Sequence, residues 1–191
     1  MIGVKSEEWH RELTRKSIHI GLGLFLSIVL SLTSIPVFQS FLTAILLAGI
    51  LLALIAHARW FPVLEDVLTE VHRPKELFPG ESAFVFILGV LIPTFFFSNP
   101  FVIILGILGL TFQDGFSTLI GKRYGRTRIL PTKTLEGSLG GFLAASLVFL
   151  AFLPWDQALL LSGFVTVVEL IPLNDSFSIP AFTAVAASLL V

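Results

Sequence analysis

The chain has 191 residues, of which 55% are hydrophobic and 13% are charged, and its mean hydropathy is +0.94. This composition excludes an ordinary soluble domain and predicts a polytopic membrane protein with one compact domain over residues 1–191. The absence of cysteine excludes disulfide bonds, a thiol nucleophile and a cysteine metal site.

Apolar segments of helical length alternate with short polar segments along the chain. Residues 1–17 are charged and lack the features of a cleaved signal peptide, so we expect the first span to be retained. The pattern predicts an all-α bundle with about seven transmembrane helices. Spans are expected at residues 18–32, 38–56, 82–97, 101–120, 139–153, 157–170 and 177–191.

Residues 59–76 have an amphipathic pattern rather than that of a spanning segment. One helical face is apolar, and acidic side chains such as Glu65 and Asp66 lie opposite it. This pattern is typical of a helix that lies in the membrane interface. The apolar face consists of Val63, Leu64, Val67, Leu68 and Val71.

The N-terminal segment carries four polar residues at helical spacings of three and four: Glu12, Arg15, Lys16 and His19. They form one polar patch where the first helix enters the membrane. The alternative is that Arg15 and Lys16 are ordinary flanking residues that reach lipid phosphates.

The fourth span contains an acidic residue, Asp114, inside an apolar run. It shares one helical face with Thr111, Ser117, Thr118 and Gly121. A carboxylate is costly in hydrocarbon, and such residues usually face a bundle interior or a wet cavity. A functional site is therefore indicated, and the alternative is a structural hydrogen bond to Thr111 or Thr118.

A basic loop follows this span. Gly121 and Gly125 lie within it and would let the backbone approach a bulky anion. The loop is a candidate site for a metal-bound polyphosphate, and the alternative is that its cations hold anionic lipid. Its basic residues are Lys122, Arg123, Arg126, Arg128 and Lys133.

The positive-inside rule predicts the topology. With the N-terminus inside, all 12 Lys and Arg residues fall on the inner face. The outer loops, near Thr33, Asn99 and Trp155, carry only the charge of Asp156. The N-terminal patch and the basic loop are therefore expected on one face, together with the loop after the sixth span.

The region around the basic loop resembles the shared motif of the CTP-dependent lipid kinases, which comprise dolichol kinase, phytol kinase and the CTP-dependent diacylglycerol kinases. It is also similar to a segment of the CDP-diacylglycerol synthases. The residues that carry the resemblance are Asp114, Gly121, Lys122, Gly125, Lys133, Thr134, Glu136, Gly137 and Ser138. These kinases also often carry an Arg-Lys pair followed by His near the start, as at Arg15, Lys16 and His19.

Near the end of the chain, related kinases tend to have a glutamate and then an Asp-Asn pair. Here the matching residues are Glu169, Asn174 and Asp175, with the pair in the reverse order. The resemblance therefore implies a role for one member of this pair, and the sequence leaves open which one.

The resemblance implies roles in phosphoryl transfer for these residues. Asp114 would bind Mg²⁺, with Asp175 or Glu169 as a second carboxylate or as the base. Lys133 would hold the nucleotide phosphates, and Glu136 would orient Lys133 or bind the metal through water. The remaining candidates for nucleotide binding are Lys122, Arg123, Gly121, Gly125, Arg126, Thr134, Gly137, Ser138, Arg15, Lys16, His19 and Asn174.

The expected function is transfer of the γ-phosphate of CTP to a membrane lipid alcohol, with Mg²⁺ as cofactor. A dolichol-like polyprenol is the preferred acceptor, with phytol or diacylglycerol as others. The alternatives are a CDP-lipid synthase and a transporter that uses Asp114 and Glu169 as an ion path. No nucleic acid is expected as a partner, a homodimer is left open, and the site would face the cytoplasm, at the cell membrane or the endoplasmic reticulum.

Overall fold

The computed structural model of the chain describes residues 2–57 and 81–191. The predicted interfacial helix at residues 59–76 lies outside these residues. In chain order the elements are α1 (Ile2–Leu32), α2 (Ile35–His57), α3 (Glu81–Leu91), α4 (Pro93–Phe96), α5 (Pro100–Gly109), a π turn (Leu110–Asp114), α6 (Gly115–Tyr124), β1 (Arg128–Leu130), β2 (Lys133–Thr134), α7 (Leu135–Phe149), α8 (Trp155–Glu169) and α9 (Asp175–Ser188).

The all-α prediction is confirmed, with two differences in detail. The charged segment before residue 18 is helical and belongs to α1, so the polar patch lies within this helix. The basic loop contains a short antiparallel hairpin of β1 and β2, which the helical pattern did not predict.

Three helices of the described segments are long and apolar enough to cross a membrane: Trp9–Leu32, Ile35–Leu52 and Pro100–Tyr124. Glu81–Phe96 and Leu135–Phe149 are shorter apolar helices. These helices indicate an integral membrane protein. At 1.5 Å per residue a 15-residue helix such as α8 is only about 22 Å long, so the count of seven spans stays a prediction.

The distribution of polar and apolar side chains also fits a membrane environment. Leu147 and Leu160 on the outer surface are 71% and 66% exposed, whereas Gln113 and Ser162 are fully buried. Large apolar residues therefore face outward and several polar residues face inward, as expected when lipid surrounds the bundle.

The helix Pro100–Tyr124, formed by α5, the π turn and α6, lies at the centre of the bundle. Its start follows the sequence closely, because Asn99 accepts a hydrogen bond from the Phe101 N–H and Pro100 occupies the first turn. The helix packs against α1, α7 and α9. Asp114 lies in the middle of this helix, and the basic loop follows its far end.

Glycines allow the helices to approach one another closely. A Cβ atom on Gly89 of α3 would overlap the backbone carbonyl oxygen of Ser176 in α9, and one on Gly23 of α1 would overlap the Thr111 side chain. Small residues at such contacts are a general feature of helix packing in membranes. These contacts fix α1 and α3 against the site end of the bundle.

We expect Gly89→Ala to lower the thermal stability of the purified protein, by about 1–3 kcal/mol, because the methyl group meets backbone that cannot move aside. The matched control is Gly163→Ala in α8, where no atom lies within 4 Å of the added Cβ position. Thermal unfolding in detergent should show a lower midpoint for the first variant only. Equal midpoints for the two variants would contradict the packing described here.

Candidate functional site

A polar cavity of about 830 Å³ lies where α1, α6, the hairpin and the adjoining ends of α7, α8 and α9 meet. It brings together residues that are far apart in the sequence and that were assigned to the site from the sequence. These are Arg15, Lys16, Asp114, Gly121, Lys122, Gly125, Lys133, Thr134, Gly137, Ser138, Glu169 and Asp175.

Asp114, the last residue of the π turn, joins the central helix to α1. Its Oδ2 atom lies 2.6 Å from Lys16 Nζ and 3.6 Å from His19 Nε2, and both side chains of the Lys16–Asp114 pair are buried. Thr118 Oγ1 donates to Asp114 Oδ1 over 3.4 Å. The hydrogen bond between Asp114 and Thr118, which the sequence left open as an alternative role, is therefore present. The ion pair with Lys16 is the shorter of the two contacts.

Lys133 lies between two carboxylates from the last two helices. Its Nζ atom is 2.5 Å from Glu169 Oε1 and 2.6 Å from Asp175 Oδ2. Ser117 and Ser138 donate to the two oxygens of Glu169 over 3.2 and 3.3 Å. Burial acts to lower the pKa of Lys133, but the two carboxylates outweigh it and the pKa is raised. The amine therefore stays charged.

Glu12 forms a further ion-pair group at the edge of the cavity. Its Oε2 atom accepts hydrogen bonds from Arg15 Nη2 at 2.9 Å and Lys122 Nζ at 2.6 Å, and the residue is 1% exposed. Glu12 was recognised in the N-terminal patch but was not assigned to the site. Its spacing of three residues from Arg15 is the signal that could have found it.

Glu136 has backbone N–H groups as its hydrogen-bond partners, and the roles predicted for it stay predictions. Its carboxylate accepts hydrogen bonds from the backbone N–H groups of Arg126 and Thr127, at 3.0 and 3.1 Å. Its own backbone N–H and those of Arg126 and Thr127 lower the pKa of Glu136. Glu136 therefore fixes the start of the hairpin, which in turn carries Lys133.

Three glycines enclose the side chain of Thr134. A Cβ atom on Gly121, Gly125 or Gly137 would lie 3.0, 2.7 or 3.0 Å from Thr134 Oγ1. Thr134 also caps α7 by accepting a hydrogen bond from the Gly137 N–H over 3.2 Å. The glycines line the cavity, but they also serve to seat Thr134 and to bring α6 close to α7.

Two other residues that the sequence assigned to nucleotide binding, Arg123 and Asn174, have their side-chain partners outside the cavity. The Arg123 guanidinium lies over the Trp9 ring, 5.6 Å from its centroid, outside the cavity lining. The Asn174 side chain caps α9 by accepting from the Ser176 N–H over 3.1 Å. Of the reversed pair it is therefore Asp175 that lines the cavity.

The remaining wall of the cavity comes from residues that the sequence did not assign to the site. The Ser117 and Thr118 hydroxyls were seen only as part of a polar face, and Arg128 only as part of the basic loop. The hairpin turn was not expected, and it contributes Pro131 and Thr132.

The carboxylates suit a metal that is bound together with phosphate. Across residues 2–57 and 81–191, no three His, Asp or Glu side chains are close enough to hold a metal ion alone. Asp175 Oδ1 is buried and has no hydrogen-bond partner in that part of the chain. Because Mg²⁺ usually takes one or two carboxylates and completes its shell with substrate phosphates and water, Asp114 and Asp175 fit such an ion.

The whole chain, residues 1–191, matches the model of a family described as the cytidylyltransferase family. This chain belongs to the cytidylyltransferase family. The resemblance found in the sequence is thereby confirmed. The match covers all elements that line the cavity, from α1 to α9.

Relatives with curated names carry both kinase and cytidylyltransferase names. The chain is 32% identical over 213 residues to the probable phytol kinase 1, chloroplastic, of Oryza sativa subsp. japonica, covering 94% of this chain and 65% of that protein. It is 34% identical to the dolichol kinase of Saccharomyces cerevisiae over 100 residues, 45% of this chain and 19% of that enzyme. It is 39% identical to the phosphatidate cytidylyltransferase of Aquifex aeolicus over 76 residues, 37% of this chain and 29% of that enzyme. No solved structure matches the chain significantly.

We expect Lys133→Met to destabilise the protein by about 3 kcal/mol, because it leaves the buried Glu169 carboxylate without a cation. Adding Glu169→Gln to the same variant should restore much of the loss. Arg11→Met, which removes an exposed base from α1, serves as the control and should leave stability unchanged. Thermal unfolding of these variants and of Glu169→Gln alone gives the coupling, and additive effects of Lys133→Met and Glu169→Gln would contradict the ion pair.

Proposed function

We propose that this protein is a magnesium-dependent kinase that transfers the γ-phosphate of CTP to the hydroxyl group of a membrane lipid alcohol. The observation that carries the proposal is the cavity itself, in which Asp114, Lys133, Glu169 and Asp175 meet at one end of an apolar bundle. The names of the rice and yeast relatives support the kinase reaction.

The cations around the cavity are suited to hold a nucleotide triphosphate. Phosphoryl transfer requires positioning and charge neutralisation more than covalent catalysis. Lys133, Lys122 and Arg15 come from three different elements and would contact the phosphates from different sides. Arg128 of the hairpin adds a further cation at the wall. CTP as the donor rests on the family resemblance.

Asp114 and Asp175 would hold the metal ion. When bound, Mg²⁺ neutralises charge on the phosphates and on the transferring group. Lys16 and Thr118 fix the Asp114 carboxylate in one orientation toward α1. This fixed orientation is what a metal ligand needs, since coordination demands defined geometry.

The second carboxylate has to contact the metal or take the proton of the alcohol, and two candidates were left open by the sequence. Glu169 accepts from Lys133, Ser117 and Ser138, so both of its oxygens are held by protein donors, whereas Asp114 Oδ1 has only the long 3.4 Å contact with Thr118. Asp175 has one buried oxygen without a partner in the described chain. We therefore assign this role to Asp175 and assign Glu169 to the orientation of Lys133.

The acceptor class follows from where the cavity lies and from the relatives. A lipid alcohol presents its hydroxyl at the membrane surface, where the polar end of an apolar bundle can reach it. Phytol and dolichol, which the relatives' names mention, are both isoprenoid alcohols. The relatives give no preference for a dolichol-like polyprenol over phytol, so we propose an isoprenoid alcohol without a fixed chain length.

The proposed enzyme has about seven spans and its site at the cytoplasmic face. This orientation puts the whole set of basic residues on the inner side of the membrane. The ends of α1, α6, α8 and α9 that form the cavity support a common face for these segments.

A second candidate is a CDP-lipid synthase, which would use CTP on a lipid phosphate and release pyrophosphate. The Aquifex relative favours it. The transporter alternative is less well supported, because Asp114 and Glu169 line one cavity instead of being spread across the membrane depth.

Incubation of the purified protein in lipid with Mg²⁺, γ-labelled CTP and a panel of phytol, polyprenols and diacylglycerol tests the proposal. Label in a lipid monophosphate is expected, and the labelled lipid identifies the acceptor. Label released as pyrophosphate only when a lipid phosphate is supplied would establish the cytidylyltransferase instead. Turnover with neither would overturn both enzymatic functions.

We expect Asp114→Asn to reduce turnover by roughly 100-fold or more, because the variant removes charge from the proposed metal ligand. Nucleotide affinity should change much less, whereas the thermal midpoint should fall, because Lys16 stays buried without its carboxylate. The control Gln39→Leu alters a membrane glutamine that bonds to the Thr94 carbonyl, away from the cavity, and should retain activity. Full turnover by Asp114→Asn would refute the role of this residue.

We expect Lys133→Ala to weaken nucleotide binding by about 10-fold or more, because a charged hydrogen bond to phosphate is lost. A titration with CTP, followed by the change in thermal midpoint, measures the affinity. Arg11→Ala is the matched control and should bind normally. Equal affinity of Lys133→Ala and the parent protein would remove Lys133 from the nucleotide site.

A further inference from the structure

Asp114, which carries the proposed catalytic carboxylate, is the last residue of a π turn. The turn spans Leu110–Asp114 in the middle of the central helix, between α5 and α6. A π turn is rare and less favourable than continued α-helix, and where it persists it often marks a functional site. Something in the surrounding structure must therefore hold this turn.

Gln113 supplies contacts that hold the turn. The residue is fully buried, and its Oε1 atom lies 3.2 Å from Thr166 Oγ1 in α8. A Cβ atom on Gly141 would lie 2.6 Å from Gln113 Nε2 and 2.8 Å from the Gln113 carbonyl oxygen, so α7 packs directly on the turn. Thr166 Oγ1 also lies 2.8 Å from the Ser162 carbonyl oxygen, so its single proton is shared, and Gln113 Nε2 is buried with no hydrogen-bond partner among the described residues. Close packing against α7 and α8 is therefore the main constraint on this amide.

The opposite side of the turn faces α1. Asp114 pairs with Lys16 of α1. Thr111 packs on Gly23 of α1 so closely that a Cβ atom on Gly23 would overlap the Thr111 side chain. The turn is therefore fixed between α7 and α8 on one side and α1 on the other. Gln113 and Asp114, adjacent in sequence, contact opposite neighbours.

We propose that Gln113 is a positioning residue for the reaction: its buried amide, packed between Gly141 of α7 and Thr166 of α8, sets the π turn that directs the Asp114 carboxylate into the cavity. Gln113 does not line the cavity, so it would not touch a substrate bound there. The inference rests on the proposed function for its kinetic readout only, since the orientation of Asp114 can be measured without turnover.

The kinetic test compares variants that change one contact. Thr166→Val and Gln113→Leu should each lower kcat, up to about 100-fold, because a small displacement of a reacting group costs that much. The KM for CTP should stay within about 2-fold, since the phosphate-binding cations are untouched. Thr166→Ser keeps the hydroxyl and should keep kcat near that of the parent protein.

Gln39→Leu is the matched control, because it removes a second glutamine amide from a membrane helix. It should leave both kcat and KM unchanged. Equal loss of kcat in Gln39→Leu and Gln113→Leu would show a general structural effect and overturn the proposal. So would unchanged kcat in Gln113→Leu and Thr166→Val.

A second measurement needs no activity. Thermal midpoints of Asp114→Asn, Lys16→Met and the double variant give the coupling between these two residues. The coupling should be clear in the parent protein and lost in the Gln113→Leu background. Coupling of equal size in both backgrounds would overturn the inference. If the parent protein has no turnover with any donor, the proposed function fails while this measurement still decides the role of Gln113.

Discussion

The ion pair between Lys16 and Asp114 is the constraint on which the site depends. A carboxylate inside an apolar helix is costly unless a cation lies next to it, and here the cation comes from α1, 98 residues earlier in the chain. This pairing requires α1 to pack along the central helix. It thereby brings the polar patch of α1, with Glu12 and Arg15, to the same end of the bundle as the basic loop.

Each lysine at this end is neutralised by a carboxylate from another element. Lys16 pairs with Asp114, Lys122 with Glu12, and Lys133 with Glu169 and Asp175. Five basic and four acidic side chains line the cavity, so a small positive excess remains. Such a balance suits a polyphosphate whose charge is partly neutralised by a metal. The acidic and basic side chains pair with each other in the free protein, and the basic side chains can pair with the phosphates in the complex.

The sequence predicted the helices from their apolar pattern, and the positive-inside rule put the N-terminal patch and the Asp114 loop on one membrane face. The contact between Lys16 and Asp114 is seen only in the structure. The sequence did not predict the π turn, whose cause lies in contacts of Gln113 with other helices. Nor did it predict that Glu136 accepts from the backbone before the hairpin or that Asn174 caps α9, so their predicted roles at the site stay predictions. In both cases the partners are nearby backbone N–H groups, and these depend on turns that periodicity does not show.

The most direct test of this account is a structure of the protein with Mg²⁺ and a non-hydrolysable CTP analogue. The account predicts the triphosphate in the cavity against Lys133, with the metal between Asp114 or Asp175 and the phosphate oxygens. It also predicts Asp114 at the end of an intact π turn. A nucleotide bound elsewhere, or phosphates that contact none of these residues, would contradict it.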